Sequence, residues 1–203
     1  MKLIIMTKST FFVEEDKILT ALFEEGMDNL HLYKPLSEPV YSERLLTLLS
    51  EDYYKRITVH DHFYLREEYG LKGIHLENPT DNLPYGYRGH VSRTCTAISQ
   101  LHEAKKNSKY VFLKSLFDSH TNPADRQSFT NEELKDASRH GLIDRHVYAL
   151  GGICLENIRQ MADLGFGGVV VCGDLWNRFN IHQGQDFKEL LAHFNKLQKA
   201  VGW

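Results

Sequence analysis

The sequence contains no long apolar run and few cysteines. The apolar stretch nearest the start covers residues 3–6, which is too short for a signal peptide or for a membrane span of about 20 residues. The three cysteines, Cys95, Cys154 and Cys172, show neither CxxC spacing nor Cys/His metal-binding spacing. We therefore expect a cytoplasmic protein with reduced thiols and no membrane partner.

An excess of positive charge is also absent. Lys and Arg number 24 against 27 Asp and Glu, which gives a formal net charge of −3. A nucleic-acid-binding surface would need a basic field, so no nucleic-acid partner is expected. A phosphorylated small molecule remains compatible, because a local site can be positive on a mildly acidic protein. The apolar share of 42% is that of an ordinary globular domain.

Short apolar runs alternate with longer stretches of helical period along the whole chain. The runs cover residues 3–6, 30–33, 57–60, 73–76, 89–92, 110–113, 147–150 and 168–171. Amphipathic stretches at 16–25, 45–49, 98–104, 131–139, 158–164 and 187–197 predict helices. This alternation predicts an α/β fold, a compact (β/α)8 TIM barrel, with residues 1–203 as a single domain.

The alternative fold is an open doubly wound sheet, but no GxGxxG follows the first run. Residues 77–88 are rich in turn formers and too short for a full helix between the fourth and fifth runs. Residues 114–130 form a long polar loop, and loops of that length in compact domains are usually functional or mobile.

Polar residues cluster at the ends of the predicted strands, where the active site of such a barrel lies. The third run ends in His60, Asp61 and His62. A zinc site from His60, His62 and His75 is geometrically allowed, but strand alternation separates the histidines from Asp61. Asp61 fits two interpretations equally well, a Mg²⁺ ligand or the cap of a following helix.

Two adjacent glycines, Gly151 and Gly152, end the seventh run just before a predicted helix. Glycine lacks a Cβ atom, so its backbone N–H can approach an anion closely at such a turn. A tight strand-to-helix turn without a ligand explains the pair equally well. The dipeptide alone leaves both interpretations open.

The order of several motifs resembles the thiamine phosphate synthase family, which also contains the thiazole tautomerases. The strongest part is "VYALGGICLENIRQMADLGFGGVVVCGDLW", supported by "LHLYKP", "VHDHFYL", "LKGIHLE" and "GHVSRTC". The resemblance implies a site for the phosphate of the substrate. Its implied residues are Gly151, Gly152, Ile153, Cys172 and Gly173, with hydroxyl groups from Ser119 and Thr121.

The resemblance also implies the second half of a transferase site. Its residues would be Lys34, Ser92 and Lys114 as catalytic groups, His31, Tyr33 and Arg93 on the pyrimidine and pyrophosphate side, and Asp61, Glu77 and Asp81 as Mg²⁺ ligands. This half departs from the family pattern. Tyr33 replaces an expected arginine, Asn122 an expected lysine, and Lys114 an expected glycine.

The implied reaction joins an aminopyrimidine methyl pyrophosphate to a thiazole phosphate, which gives thiamine phosphate and pyrophosphate. The departures predict a synthase of reduced activity. They also leave two alternatives open, namely a metal-free thiazole tautomerase or weakened paralogue, and a non-catalytic protein that binds thiazole or thiamine phosphate. The expected partners are phosphorylated small molecules, and a homodimer is a possible assembly.

Overall fold

Eight parallel strands form a closed barrel in the computed structural model, which describes residues 1–179 and 187–202. The strands are β1 Lys2–Met6, β2 Leu30–Leu32, β3 Ile57–Val59, β4 Gly73–Leu76, β5 His90–Cys95, β6 Tyr110–Leu113, β7 Val147–Leu150 and β8 Gly168–Val171. Each strand pairs with its neighbour in sequence, and β1 pairs with β8 from Lys2↔Gly168 to Ile5↔Val171. This closure excludes the open doubly wound sheet, which has two free edges.

Helices connect most of the strands. They are α1 Glu15–Glu24, α2 Pro39–Leu48, α3 Tyr64–Glu68, α4 Leu101–Lys106, α5 Asn131–Arg139, α6 Ile158–Asp163, α7 Gly173–Trp176 and α8 Lys188–Ala200, with 3-10 turns at Glu51–Arg56 and Ile98–Gln100. As predicted, no helix lies between β4 and β5 or within residues 114–130. The short α7 was not predicted, because four residues show no helical period. No helix of the described residues is long and apolar enough to span a membrane.

The barrel has an outer and an inner core, because successive strand residues point to opposite faces. Outward-facing residues such as Leu3 and Ile5 pack against the helices. The inner cluster contains Ile4, Met6, Tyr110, Phe112, Tyr148 and Val170. Its tyrosines stack with their ring centroids 4.7 Å apart. The remainder of the interior is polar, and its buried side chains are His31, Thr58, His60, His75, Ser92 and Thr94.

Candidate active site

A cavity of about 660 Å³ opens at the carboxyl ends of the strands, where the loops after most strands meet. Its volume is typical of small-molecule sites. Ten of the sequence-predicted site residues line it: Tyr33, Glu77, Lys114, Ser119, Thr121, Gly151, Gly152, Ile153, Cys172 and Gly173. Six predicted residues do not: His31, Lys34, Asp61, Asp81, Ser92 and Arg93.

The glycine side of the cavity presents free backbone donors. Gly151 and Gly152 have φ angles of 101° and 61°, in the left-handed region that favours glycine. Among the described residues, the amide groups of Gly152 and Ile153 have no hydrogen-bond acceptor. The Asn157 side chain fixes this turn, because its Nδ2 donates to Gly152 O and its Oδ1 accepts from Cys154 N. Unpaired amides that face a cavity suit an anion.

The same glycines also meet a packing requirement. A Cβ atom on Gly152 would collide with the carbonyl oxygen of Asp118 and would lie 2.7 Å from the Phe117 Cβ. On Gly173 it would lie 2.6 Å from the His120 Cβ. The loop after β6 therefore packs directly over both turns. The glycines allow this tight packing and also leave backbone N–H groups free for a ligand. The interpretation as a tight turn and the interpretation as an anion site are therefore compatible.

The loop after β6 brings the predicted hydroxyl groups and one lysine to the cavity. Ser119 Oγ accepts hydrogen bonds from the amides of Thr121 and Asn122 at 3.2 and 3.1 Å. Lys114 Nζ lies 3.2 Å from Asp125 Oδ1, so a carboxylate partly neutralises its charge. Both members of this pair line the cavity.

Lys34 lies beside the cavity but is buried in an ion pair. Its Nζ is 2.6 Å from Glu15 Oε1 and 2.9 Å from Thr10 O, and its side chain is 1% exposed. The Phe11 ring covers it, with 4.5 Å from Nζ to the ring centroid. Burial lowers the pKa of Lys34, and the Glu15 charge opposes this shift. Its ammonium group binds other groups of the protein and Lys34 does not line the cavity, so its catalytic role stays a prediction.

Ser92 and His31 belong to the polar barrel interior instead of the cavity wall. Ser92 Oγ lies 2.7 Å from His75 Nδ1, and Thr94 Oγ1 lies 2.8 Å from His75 Nε2. His31 Nε2 lies 2.7 Å from the Tyr110 hydroxyl. Strand alternation causes this placement, because both side chains point to the barrel axis below the mouth.

A chain of hydrogen bonds links this interior to the cavity. His60 Nδ1 lies 2.6 Å from Glu77 Oε1, and His60 Nε2 lies 2.7 Å from His31 Nδ1. A carboxylate only accepts, so His60 Nδ1 donates to Glu77. With one proton on each ring, His31 Nδ1 donates to His60 Nε2, and the Tyr110 hydroxyl donates to His31 Nε2. His31, His60 and His75 lie close enough to hold a metal ion. Every nitrogen of these rings already has a hydrogen-bond partner, however.

The three histidines considered for a zinc site, His60, His62 and His75, do not come together. His62 has a φ of 51°, and its Nε2 lies 2.8 Å from the carbonyl oxygen of Ser37. This contact binds the ring to the loop after β2. His62 therefore does not join His60 and His75.

Arg93 and Asp81 hold the link between β4 and β5. Arg93 Nη1 donates to the carbonyl oxygens of Asn78, Pro79 and Asp81, the last at 2.6 Å. The Asp81 carboxylate accepts from the Asn78 amide at 3.0 Å. These contacts stabilise a helix-free loop, and neither side chain lines the cavity. The substrate role of Arg93 and the metal role of Asp81 stay predictions.

Asp61 is not a helix cap, which decides one of the open alternatives. Helix α3 follows Phe63, and no side chain caps its start. Within the described residues, Asp61 Oδ2 is buried without a hydrogen-bond partner. A buried carboxylate oxygen without a donor is costly and is commonly matched by a cation or water.

Tyr33 occupies the cavity wall between the acidic residues and the barrel interior. Its ring packs edge-on against His60, with 5.3 Å between centroids. Burial raises the pKa of Tyr33, and the nearby charges of Glu77 and Asp61 add to this shift. This side of the cavity therefore combines an aromatic ring with negative charge.

Sequence reasoning missed the loop after β1, although Lys8, Ser9 and Thr10 line the cavity. The signal was present, because the polar run "TKST" directly follows the apolar run at residues 3–6. Polar residues at the carboxyl ends of barrel strands are expected to line the active site, and this expectation applies to the end of β1 as well.

The fold and cavity define a (β/α)8-barrel protein with a cavity at the carboxyl ends of its strands, lined by the glycines that follow β7 and β8. The sequence model described as thiamine monophosphate synthase matches residues 42–175. The chain therefore belongs to the thiamine monophosphate synthase family, which confirms the identification from the sequence motifs. It is a thiamine phosphate synthase-like enzyme. No curated protein matches the chain.

Solved structures agree with this assignment. A thiamine phosphate pyrophosphorylase from Bacteroides thetaiotaomicron is 47% identical, with a TM-score of 0.88 over 99% of this chain and 98% of that chain. A thiamine phosphate pyrophosphorylase from Pyrococcus furiosus has a TM-score of 0.73 over 98% and 95%, but at 18% identity it shows the fold alone. A 3-hexulose-6-phosphate synthase has a TM-score of 0.59 at 13% identity, over 98% of this chain and 99% of that chain.

Proposed function

We propose that the chain transfers an aminopyrimidine methyl group from its pyrophosphate ester to the nitrogen of a thiazole phosphate. The carbon–oxygen bond to pyrophosphate breaks, its electron pair leaves with pyrophosphate, and the thiazole nitrogen bonds to the methylene carbon. The thiazole nitrogen is itself the nucleophile, so no activated serine or cysteine is needed. The observation that carries the proposal is a pair of amides, at Gly152 and Ile153, that have no acceptor among the described residues and belong to residues lining the cavity of a family member.

The chain's residues divide the task between two sides of the cavity. The amides of Gly152, Ile153 and Gly173 would hold the thiazole phosphate, together with the hydroxyl groups of Ser119 and Thr121. Oriented amides stabilise phosphate without reorganisation during the reaction. The loop after β6 packs against the glycines on this side.

The carboxylates of Asp61 and Glu77 fit Mg²⁺ better than the third predicted ligand, Asp81. Asp61 Oδ2 is buried and unpartnered, and Glu77 Oε2 has no hydrogen-bond partner among the described residues. Both charges lie near the Tyr33 hydroxyl. When bound, Mg²⁺ would neutralise charge on the departing pyrophosphate. Asp81 is engaged by Asn78 instead.

The test is a turnover assay with both substrates and Mg²⁺, with the product identified by its mass. Formation of thiamine phosphate with release of pyrophosphate supports the proposal. Binding of thiazole phosphate without turnover would contradict it. That outcome would favour the tautomerase or ligand-binding alternatives, which the replacement of an expected arginine by Tyr33 keeps open.

We further propose that the chain forms a homodimer and acts in the cytoplasm. Val13, Leu36 and Tyr41 are exposed on neighbouring segments, since the Phe11 and Tyr41 rings lie 5.9 Å apart. Exposed apolar patches of this kind often mark protein interfaces. Light scattering should give twice the 23.5 kDa mass of one chain, and a monomer at all concentrations would contradict the dimer. All three cysteines are free, which supports a reducing compartment.

A further inference from the structure

The cavity contains a positive charge that neither the sequence motifs nor the family match assigns. Lys8 follows β1, is half-buried and lines the cavity together with Ser9 and Thr10. The family model begins at residue 42, so this loop lies outside the matched range. A lysine at the carboxyl end of a barrel strand is in the position where substrate-binding groups lie.

Lys8 differs from the other lysines at the cavity in its contacts with carboxylates. Among the described residues, no carboxylate lies within ion-pair distance of its Nζ, whereas Lys114 is paired with Asp125 and Lys34 with Glu15. Its Nζ lies 5.7 Å from the centroid of the Phe12 ring. Of the three lysines in or beside the cavity, Lys8 is therefore the one whose charge is available to a ligand.

The loop that carries Lys8 lies at the boundary between the two sides of the cavity. Strand β1 lies between β8, which is followed by Cys172 and Gly173, and β2, which is followed by Tyr33. Thr7 Oγ1 donates to Tyr33 O at 3.1 Å and accepts from Tyr33 N at 3.0 Å. These two bonds join the end of β1 to the residue that replaces the expected arginine, while Cys172 Sγ donates to Thr7 O at 3.5 Å on the other side. The loop that carries Lys8 is therefore within reach of both sides.

The two sides of the cavity differ in their need for positive charge. The glycine side already offers several amide and hydroxyl donors to one phosphate. The Tyr33 side offers a neutral hydroxyl and the negative charges of Glu77 and Asp61. A pyrophosphate placed there needs a cation, and a lysine ammonium supplies three donors and a compact charge.

We propose that Lys8 is a substrate-binding residue for the pyrophosphate group and takes over part of the role of the arginine replaced by Tyr33. The inference rests on the proposed function for the identity of the donor substrate. The chemistry of recognition does not depend on it, because inorganic pyrophosphate carries the same anionic groups. The hydroxyl groups of Ser9 and Thr10 on the same loop would add neutral donors.

Calorimetric titration with inorganic pyrophosphate in the presence of Mg²⁺ tests the proposal without turnover. We expect Lys8→Met to weaken pyrophosphate binding by about tenfold or more, while Lys8→Arg retains most of it. The matched control is Lys2→Met, which removes the same charge from the other end of the same strand, where Lys2 is exposed. Lys2→Met should leave pyrophosphate binding unchanged.

Titration with inorganic phosphate separates the two sides of the cavity. Lys8→Met should change phosphate binding at the glycine turn by less than about twofold. Unchanged pyrophosphate binding in Lys8→Met, or an equal loss for phosphate and pyrophosphate, would overturn the proposal. Absence of turnover in the wild type, with pyrophosphate binding still dependent on Lys8, would overturn the synthase function alone and leave this inference supported.

Discussion

Tyr33 shows how one side chain changes the electrostatics of a conserved type of site. The family resemblance predicts an arginine here, which would make charged, bidentate bonds to pyrophosphate. The structure places a neutral ring in the cavity wall, packed edge-on against His60 and close to two carboxylates. A single hydroxyl replaces a delocalised cation, and loss of such a contact costs about 2–4 kcal/mol of transition-state stabilisation.

Tyr33→Arg should therefore raise kcat/KM for the pyrophosphate substrate, by about tenfold or more. Steady-state kinetics with varied pyrophosphate substrate measure this, with Tyr33→Phe as the control that removes only the hydroxyl. An unchanged or lower kcat/KM in Tyr33→Arg would show that other groups already supply the missing charge and that the site is not weakened.

Asp61 is predicted to be necessary for Mg²⁺-dependent turnover. Its buried Oδ2 has no partner among the described residues, so Asp61→Asn should abolish Mg²⁺-dependent turnover and change the melting temperature little. Asp81→Asn is the matched control, because that carboxylate is bound by Asn78 outside the cavity wall. Full Mg²⁺-dependent activity in Asp61→Asn would place the metal elsewhere, with Glu77 as the remaining candidate.

At the scale of elements, the loop after β6 and the turn after β7 form one unit. Residues 115–118 pack against the positions where Cβ atoms of Gly151 and Gly152 would lie. The loop begins in a left-handed conformation at Ser115, with a φ of 69°. The loop is therefore held by its contact with the glycine turn and by hydrogen bonds within the loop, such as Ser119 N to Asp125 O at 2.9 Å, without a helix or strand of its own.

Gly152→Ala tests this unit against a control with the same backbone conformation. Gly152 and Gly141 have φ angles of 61° and 68°, but only Gly152 has neighbours within 4 Å of an added Cβ. Gly152→Ala and Gly141→Ala should each lose about 1–2 kcal/mol of stability, because alanine is strained in the left-handed conformation. Gly152→Ala should also displace the Asp118 carbonyl and weaken binding of thiazole phosphate. Equal effects of both substitutions on phosphate binding, measured by titration, would disprove the packing argument.

At the scale of the whole molecule, the barrel interior is unusual in its polarity. Tyrosine and aliphatic residues fill one part, whereas three histidines and their hydroxyl partners fill the other. Burial lowers the pKa of His31 and of His75 well below the ordinary value, and neighbouring histidine charges add to this shift. Both rings are therefore neutral in the folded barrel near neutral pH.

Stability should consequently depend on pH. The unfolded chain binds protons at these histidines below about pH 6.5, whereas the folded barrel does not, so protonation favours unfolding. The stabilisation is complete above the unfolded pKa and declines as pH falls, by about 1.4 kcal/mol per pH unit for each histidine, until the lowered folded pKa is reached. Urea unfolding between pH 8 and pH 5 measures this slope.

His75→Gln should reduce that slope, whereas His102→Gln, at an exposed position, should not. The glutamine amide retains one donor and one acceptor for the Ser92 and Thr94 hydroxyl groups. An identical pH dependence in His75→Gln and the wild type would show that the buried ring is not the source of the effect.

Much of the fold was predictable from local pattern. The apolar runs at 73–76, 110–113, 147–150 and 168–171 are strands with those bounds, and the predicted helix at 131–139 is α5. Thr130 and Glu133 form a capping box at its start, which the sequence also encodes locally. Strand β5 extends beyond the predicted run to Cys95, because a strand enclosed by barrel neighbours need not be apolar throughout.

The sequence by itself determined the alternation of strands and helices, the family and the glycine turns, since each depends on residues close together in the chain. Only the tertiary structure decided which polar residues reach the cavity. Lys34 follows a strand as Lys114 does, yet Glu15 binds it. Arg93 lies within β5, where the carbonyl oxygens of residues 78, 79 and 81 bind it. A side chain near a strand end can face the ligand, the barrel axis or a neighbouring loop, and the choice depends on partners that are distant in sequence.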